Sequence, residues 1–354
     1  MARKLAFDKT LFGVGIGLTL FGLLMIYSAS AVIAMERFGG AHHFLLKQSL
    51  AAVIGLGGMV AAMHVDYRRL LQRPVVYFAL LASTLLLIGA LVADRTHQVH
   101  RWIVLGPVQI QPSEIAKLAL VLFLAYLMAR KESQVNDVVG TIIPCAVIVG
   151  QIALLVYLQP DLGTAAIYVL LAIVILFLAG LRWRYLLFSG GGCLLALGLT
   201  ILQAPYRVRR ILSFMNPEDD PLGAGFQVRQ SILAVASGGL HGQGVGESRQ
   251  KLFFLPEPHT DFIFSVISEE LGLIGAAAVI AAFGVLFWRG VMAAIGAPDR
   301  GGYYLGMGIT IWLVAQAMIN MAVTIGLMPT KGIPLPFLSY GGSSLVVSLC
   351  ALGV

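Results

Sequence analysis

Asp261 stands directly after His259-Thr260, at the head of the apolar run Phe262–Trp288. A carboxylate in that setting is a candidate proton acceptor. An isolated acid in a first helical turn needs only the helix dipole to explain it, a gain of about 0.3–1 kcal/mol. The residues that follow argue for more. Asp261, Ser265, Ser268 and Glu269 are spaced i, i+4, i+7 and i+8, which predicts a polar stripe on one helix face, with Glu269 about 12 Å deep at 1.5 Å per residue. Acids at membrane depth cost at least ~2.5–3.5 kcal/mol on insertion scales and usually face a cavity or a partner.

Other residues suit related chemistry. Glu114 and Lys117 form an i, i+3 pair that either neutralises itself or positions a polar head group or Asp261. Arg207, Arg209 and Arg210 offer guanidinium forks suited to phosphate oxygens or to anionic lipid. Arg101 and Lys331 are further cations beside proline-marked polar segments, and Ser339 opens a hydroxyl-rich stretch ending at Ser344. Gln316, Asn320 and Thr324, at i, i+4 and i+8, read as hydrogen bonding between helices. His241 and His259 are single histidines without metal-ligand spacing, so the residues alone define no metal site. Gly238, Gly239, Gly242, Gly244 and Gly246 precede no Gly-Lys-Ser/Thr, which excludes a P-loop and its nucleotide. Cys145, Cys193 and Cys350 lie in apolar runs as packing residues, without a disulfide framework.

The elements that must position these groups follow from composition. Of 354 residues, 58% are hydrophobic and 12% charged, against about 25% charged in soluble domains. The bilayer must be the solvent for so many apolar side chains. The net charge of +7 is scattered among short loops, which points to topology signals and membrane lipids and away from nucleic acid. Ten apolar segments are predicted as spans: Leu11–Ala34, Phe44–Met63, Val75–Ala93, Ile115–Ala129, Val138–Leu158, Thr164–Gly180, Tyr185–Gln203, Phe262–Trp288, Tyr303–Leu327 and Leu338–Val354. The first, at 24 residues, exceeds a signal-peptide core and is expected to be retained. The fourth has 15 residues and is expected to extend through Lys117 and Glu114, and the last stops at Val354 without a basic flank, as in a trimmed chain.

Lys and Arg in short loops orient the chain with both termini inside, 12 on the cytoplasmic side against 5 outside. The expected fold is therefore all-α and polytopic, one transmembrane domain over 1–354, with a large extracytoplasmic loop, 204–260, between helices 7 and 8. Phe226–Leu240 in that loop alternates apolar and polar residues as an interfacial amphipathic helix would. Four polar segments then converge outside: Gln111–Glu114, Gln159–Thr164, Pro256–Asp261 and Lys331–Ser344. Without nucleotide there, a synthetic substrate must carry its own leaving group, as a lipid-linked diphosphate sugar does. Asp261 would deprotonate an attacking hydroxyl, and Arg101, Lys117 or Arg207–Arg210 would meet the departing diphosphate.

At these residues the chain resembles the SEDS family (shape, elongation, division and sporulation proteins). The resemblance runs from Tyr27-Ser-Ala-Ser30 through Arg101-Trp102, Gln111–Lys117, Gln159–Thr164, Asn216–Gly225 and Pro256–Phe264 to Asn320–Ser344, and Ser339-Tyr-Gly-Gly-Ser-Ser344 is the most specific part. It implies ten helices in the bacterial inner membrane and a peptidoglycan glycosyltransferase that polymerises lipid II. The implied partners are a class B penicillin-binding protein and other membrane proteins of the division or elongation machinery. The family's essential aspartate falls on Asp261, with His259 and Thr260 before it, and its Glu-x-x-Lys pair on Glu114 and Lys117. A divalent cation, Mg or Mn, is also implied, and Asp261 is its candidate ligand. Met328-Pro-Thr-Lys-Gly332 and Ala204–Arg210 lean to the division branch. Rival readings are a polymerase of the elongation branch, a lipid II flippase, which would need polar residues continuing to the inner leaflet, and a scaffold that activates the penicillin-binding partner.

Overall fold

The computed structural model describes residues 7–93, 100–106, 108–215, 223–252 and 254–354. Arg3, Lys4, Arg95 and residues 216–222 of the acidic motif lie outside the described residues. The helices run in order Lys9–Phe38 (α1), His43–Met63 (α2), Tyr67–Leu70 (α3), Arg73–Ala93 (α4), Pro112–Lys131 (α5), Ile143–Leu158 (α6), Leu162–Leu178 (α7), Trp183–Leu202 (α8), Pro205–Met215 (α9), Ala224–Ser237 (α10), Ile263–Ile295 (α11), Arg300–Thr324 (α12) and Gly342–Gly353 (α13). Eight of them (α1, α2, α4, α5, α6, α8, α11 and α12) are long and apolar enough to cross a bilayer, and α7 and α13 are shorter apolar helices.

Local chemistry sets the boundaries. Asp8 caps α1 by accepting from the Thr10 and Leu11 amides, and Gly39, at φ 71°, ends it. Pro112 opens α5, where its missing N–H costs nothing. The fourth predicted span thus reaches full length through Glu114 and Lys117. The last is shorter than expected: residues 336–340 form turns and bends, because Ser339 Oγ accepts from the Leu335 amide at 2.8 Å and holds the chain out of a helix.

Burial sorts the helices. In its most apolar stretch α5 is 78% buried and α12 61%, whereas α8 is 6% buried. Leu187, Phe188, Leu194 and Leu195 of α8 are left open. α8 packs on α7 and α9 and leaves most of its apolar surface open, the character of a helix whose solvent is hydrocarbon. At one end of the bundle, Arg289 pairs with Asp8 at 2.5 Å, Arg68 with Asp299 at 2.9 Å and Arg300 with Glu132 at 3.1 Å. These pairs gather the start of α1, α3, the end of α5 and the α11–α12 turn, where most of the predicted cytoplasmic basic residues lie. The four polar segments occupy the opposite end.

Two features depart from the sequence reading. A short antiparallel hairpin, Ile103–Leu105 (β1) with Val108–Ile110 (β2), stands between α4 and α5, so the chain is not wholly helical. Ser343 ties it to the end of the chain, donating to the Gln109 carbonyl at 3.0 Å and accepting from the Gln111 amide at 3.1 Å. Second, α11 is broken at Gly272, φ 67°. A Cβ there would collide with the Leu240 carbonyl, because the 238–246 loop inserts against the break. The loop takes over freed helix groups: Gln243 N donates to Glu269 O at 3.0 Å, Gly244 N to Glu270 O at 3.0 Å, and Leu273 N to Gly239 O at 2.8 Å.

The predicted stripe changes accordingly. Asp261 precedes α11 rather than opening it, because the chain turns through residues 257–262 first. Glu269 turns to the loop, accepting from Ser248 Oγ at 2.5 Å and the Arg249 amide at 3.0 Å. Glu270 beside it binds Lys251 Nζ at 2.7 Å and Ser28 Oγ of α1 at 2.6 Å, all buried. The amphipathic helix of the long loop is α10, which packs one face on α11 and α12, with Ser231 bonded to Ser265 Oγ and the Thr324 carbonyl, each at 2.6 Å.

Removing one partner of a buried pair leaves an uncompensated charge, at about 3–5 kcal/mol. Glu270→Ala and Lys251→Met are each expected to lower the thermal unfolding midpoint in detergent strongly, and the double variant Glu270→Leu/Lys251→Met less than either. Equal or additive losses in the double would contradict a coupled buried pair.

Candidate active site

Asp261 is held through its backbone. The carbonyls of three consecutive residues are each fixed: His259 O by the Tyr340 amide at 2.8 Å, Thr260 O by Ser339 Oγ at 2.6 Å, and Asp261 O by Asn320 Nδ2 at 2.9 Å. Gln48 of α2 locks the 339–341 stretch that faces this turn, donating to Ser339 O at 3.2 Å and accepting from the Gly341 amide at 3.1 Å. The His259 ring packs on Phe44 and Tyr340, at 4.4 and 5.4 Å between centroids. Burial, then the Arg37 charge, lowers that imidazole to about 4, so it is neutral at physiological pH.

The Asp261 carboxyl opens onto a cavity of about 740 Å³. Arg101, Arg207, Arg210, Lys331 and Asp161 line it too, as do the apolar Leu197, Ile201 and Ile211 from α8 and α9. Arg101 is aimed by donating from Nε to Gln159 O at 3.0 Å and from Nη2 to Pro160 O. Arg207 donates to the Thr200 carbonyl at 2.8 Å and lies over the Tyr157 ring, 4.7 Å from its centroid. Asp161 caps α7 by accepting from Thr164 N at 3.1 Å and Thr164 Oγ at 2.9 Å. Burial pushes the Asp261 carboxyl up to about 7; Glu257 and Asp161 add to the rise, and Arg101 and Arg210 oppose it. Burial lowers Lys331 from the usual lysine range, against the pull of Asp161.

The structure therefore brings Asp261, Arg101, Arg207, Arg210 and Lys331 together. Glu114 and Lys117 are not at the cavity wall. They form a buried pair at 2.7 Å, with Lys117 Nζ also 2.7 Å from Gln316 Oε1 and over the Trp312 ring at 5.3 Å. Glu269 faces the 248–250 loop, while His259, Thr260 and Ser339 serve the turn that carries Asp261. Asp161 escaped the sequence reading as a site residue. Its signal was present: an acid three residues before a threonine, the pattern of a helix cap, inside one of the convergent segments.

A hard divalent cation takes about six oxygen ligands. Among the described residues no group of three or more His, Cys, Asp or Glu is placed to hold a metal. Among the described residues the protein supplies no complete ligand set, and Asp261 and Asp161 are the carboxylates at the cavity that could share a cation with substrate phosphates.

The family model described as cell cycle protein, for FtsW, RodA and SpoVE, matches residues 8–354. This chain belongs to that family. Among relatives of the family, the "Probable peptidoglycan glycosyltransferase FtsW" of Geobacter sp. (strain M18) is 43% identical over 355 residues, covering 100% of this chain and 97% of its own. Stage V sporulation protein E of Bacillus subtilis (strain 168) is 44% identical over 358 residues, covering 99% and 96%. Among solved structures, a chain from work on the coordination of polymerization and crosslinking by a peptidoglycan synthase complex aligns with a TM-score of 0.81 at 32% identity, covering 99% of this chain and 96% of that one. The rod shape determining protein RodA of Thermus thermophilus gives 0.73 at 30% identity, covering 99% and 95%. Family and apolar helices together make this a multi-pass protein of the bacterial inner membrane.

The charges around Asp261 predict how it titrates. Its carboxyl stretch, followed by difference infrared spectroscopy, is expected to change with a midpoint near 7. Glu257→Gln removes a charge that raises the midpoint and should lower it; Arg101→Gln removes one that lowers it and should raise it. Shifts of the opposite sign would refute this electrostatic picture.

Proposed function

We propose that this family member is a peptidoglycan glycosyltransferase that joins lipid II units into glycan strands at the outer face of the inner membrane, with Asp261 as the base. One observation carries the reading: the Asp261 carboxylate shares a cavity with Arg101, Arg207, Arg210 and Lys331, and burial, which pushes that carboxyl up, suits it to accept a proton. In this reading all ten apolar helices cross, both termini are cytoplasmic, and the cavity end is extracytoplasmic, as the basic residues gathered at the opposite end support.

The Asp261 carboxylate takes the proton from the acceptor sugar's 4-hydroxyl while that oxygen forms a bond to the donor's anomeric carbon. The bond from that carbon to the phosphate oxygen breaks, and its electron pair leaves on undecaprenyl diphosphate. Negative charge grows on the diphosphate in the transition state, where fixed cations act most strongly. Arginine forks match phosphate oxygens in pairs, and Leu197, Ile201 and Ile211 give the polyprenyl chain an apolar wall continuous with the bilayer. A base near the working pH combines a useful ionised fraction with proton affinity. No step needs a nucleotide, and none is assigned to a metal.

A class B penicillin-binding transpeptidase is the partner we infer, by analogy with the peptidoglycan synthase complex among the structural neighbours. The FtsW name carried by relatives near 43% identity, together with Met328-Pro-Thr-Lys-Gly332, supports a role in septal synthesis.

Purified protein with its transpeptidase partner is expected to polymerise lipid II, and Asp261→Ala to lose this activity by at least ~100-fold, as for loss of a general base, without a change in the unfolding midpoint. The working form is the ionised carboxylate, so the wild-type rate should fall as pH drops through about 7. A variant that polymerises normally, or a rate level down to pH 5, would refute Asp261 as the base.

A further inference from the structure

Asn320 lies on α12 one turn beyond Gln316 and is 2% exposed. Its Nδ2 donates twice, to the Asp261 carbonyl at 2.9 Å and to the Ile333 carbonyl at 2.8 Å. Those carbonyls belong to two chain segments far apart in sequence, one carrying the carboxylate of the cavity and the other Lys331. The opposite amide orientation would set Oδ1 against two carbonyl oxygens, so the geometry fixes the direction. Bridging two carbonyls from one atom requires two hydrogens on that atom. Among side chains as short as this one, the asparagine amide supplies them; a serine hydroxyl has one and an aspartate carboxylate has none.

The next turn repeats the arrangement. Gln316 Nε2 donates to the Pro334 carbonyl at 2.9 Å, and its Oε1 accepts from Lys117 Nζ at 2.7 Å and Trp312 Nε1 at 3.0 Å. Lys117 is in turn fixed by Glu114 at 2.7 Å. The well-buried α12 thus carries two amides in line, each gripping the segment that follows Lys331, and one of them also gripping Asp261.

We propose that Asn320 is a positioning residue, a buried double donor that sets the separation between the Asp261 segment and the Lys331 segment. In glycosyl transfer that separation is the distance from the proton acceptor to a cation meeting the leaving diphosphate. The Glu114–Lys117 pair acts on the same geometry through Gln316, without touching substrate. This inference rests on the reading of Asp261 as the base. Displacing reacting groups by about 1 Å costs on the order of 100-fold in rate, so losing the clamp acts on turnover more than on substrate binding.

The clamp can be measured without catalysis. Spin labels at Glu257→Cys and Leu327→Cys, both exposed positions, would report the distance between the segments by pulsed electron resonance, with Cys145, Cys193 and Cys350 replaced. We expect one narrow distribution in the parent, broadened or shifted by Asn320→Ala and by the near-isosteric Asn320→Asp. In unlabelled protein with its partner, both variants should lose roughly 10–100-fold in kcat with KM for lipid II within about threefold, as for misplaced reacting groups. A distance distribution unchanged in both variants would overturn the clamp. So would a broadened distribution with wild-type turnover, or a loss confined to KM. Normal polymerisation by Asp261→Ala would fail the base assignment, and with it the purpose given to the clamp, whatever the distances show.

Discussion

In a chain whose solvent is hydrocarbon, every ionised side chain must have a partner or a place that admits water. Most buried charges here take the first course. Glu114 meets Lys117 and Glu270 meets Lys251, each at 2.7 Å and shielded from solvent. Asp261 takes the second, at the mouth of a cavity, poised between Glu257 and Asp161 on one side and Arg101 and Arg210 on the other. Burial raises its carboxyl to about 7 while these charges pull in opposite directions, which puts it in the range where a carboxylate can both hold and release a proton.

That balance depends on position, and position is supplied through the backbone. The turn bearing Asp261 has three successive carbonyls tied to Tyr340, Ser339 and Asn320, so α12 and the stretch ahead of α13 fix the acid. The break at Gly272 serves a different purpose. It lets the 238–252 loop descend against α11, where Glu269 and Glu270 hold it to the bundle and, through Ser28, to α1. Beyond this packed centre, α8 leaves most of its apolar surface uncovered, on the side where the cavity's apolar wall begins. The rigid parts thus carry the charges, and the exposed part adjoins the route a lipid-linked substrate would take.

Much of the helical plan was legible because hydropathy runs are long and loops are short. The predicted spans match helices to within a few residues, apart from α11, which runs on to Ile295, and the last, where Ser339 holds the preceding stretch in turns. Convergence of the four polar segments could be inferred from topology, and Arg101, Arg207, Arg210 and Lys331 do share a cavity with Asp261. What the sequence concealed was tertiary. Ideal helical spacing placed Asp261 and Glu269 on one stripe, but a turn before Ile263 and the insertion of loop 238–252 send them in different directions. The hairpin was hidden in a segment too short for a periodic signal. Asp161 drew no notice inside its segment, and Asn320 read as hydrogen bonding between helices, whereas it grips two carbonyls outside any helix; spacing along one helix does not reveal which chain segment lies opposite.

The central claim is that Asp261 receives the proton of the acceptor hydroxyl. Chemical rescue tests it most directly: Asp261→Gly, folded and bound to its partner, assayed for lipid II polymerisation with added small carboxylates of graded basicity. We expect activity to return in proportion to carboxylate concentration, with more basic carboxylates of equal size more effective. Full activity without any added carboxylate, or rescue indifferent to basicity, would contradict the account.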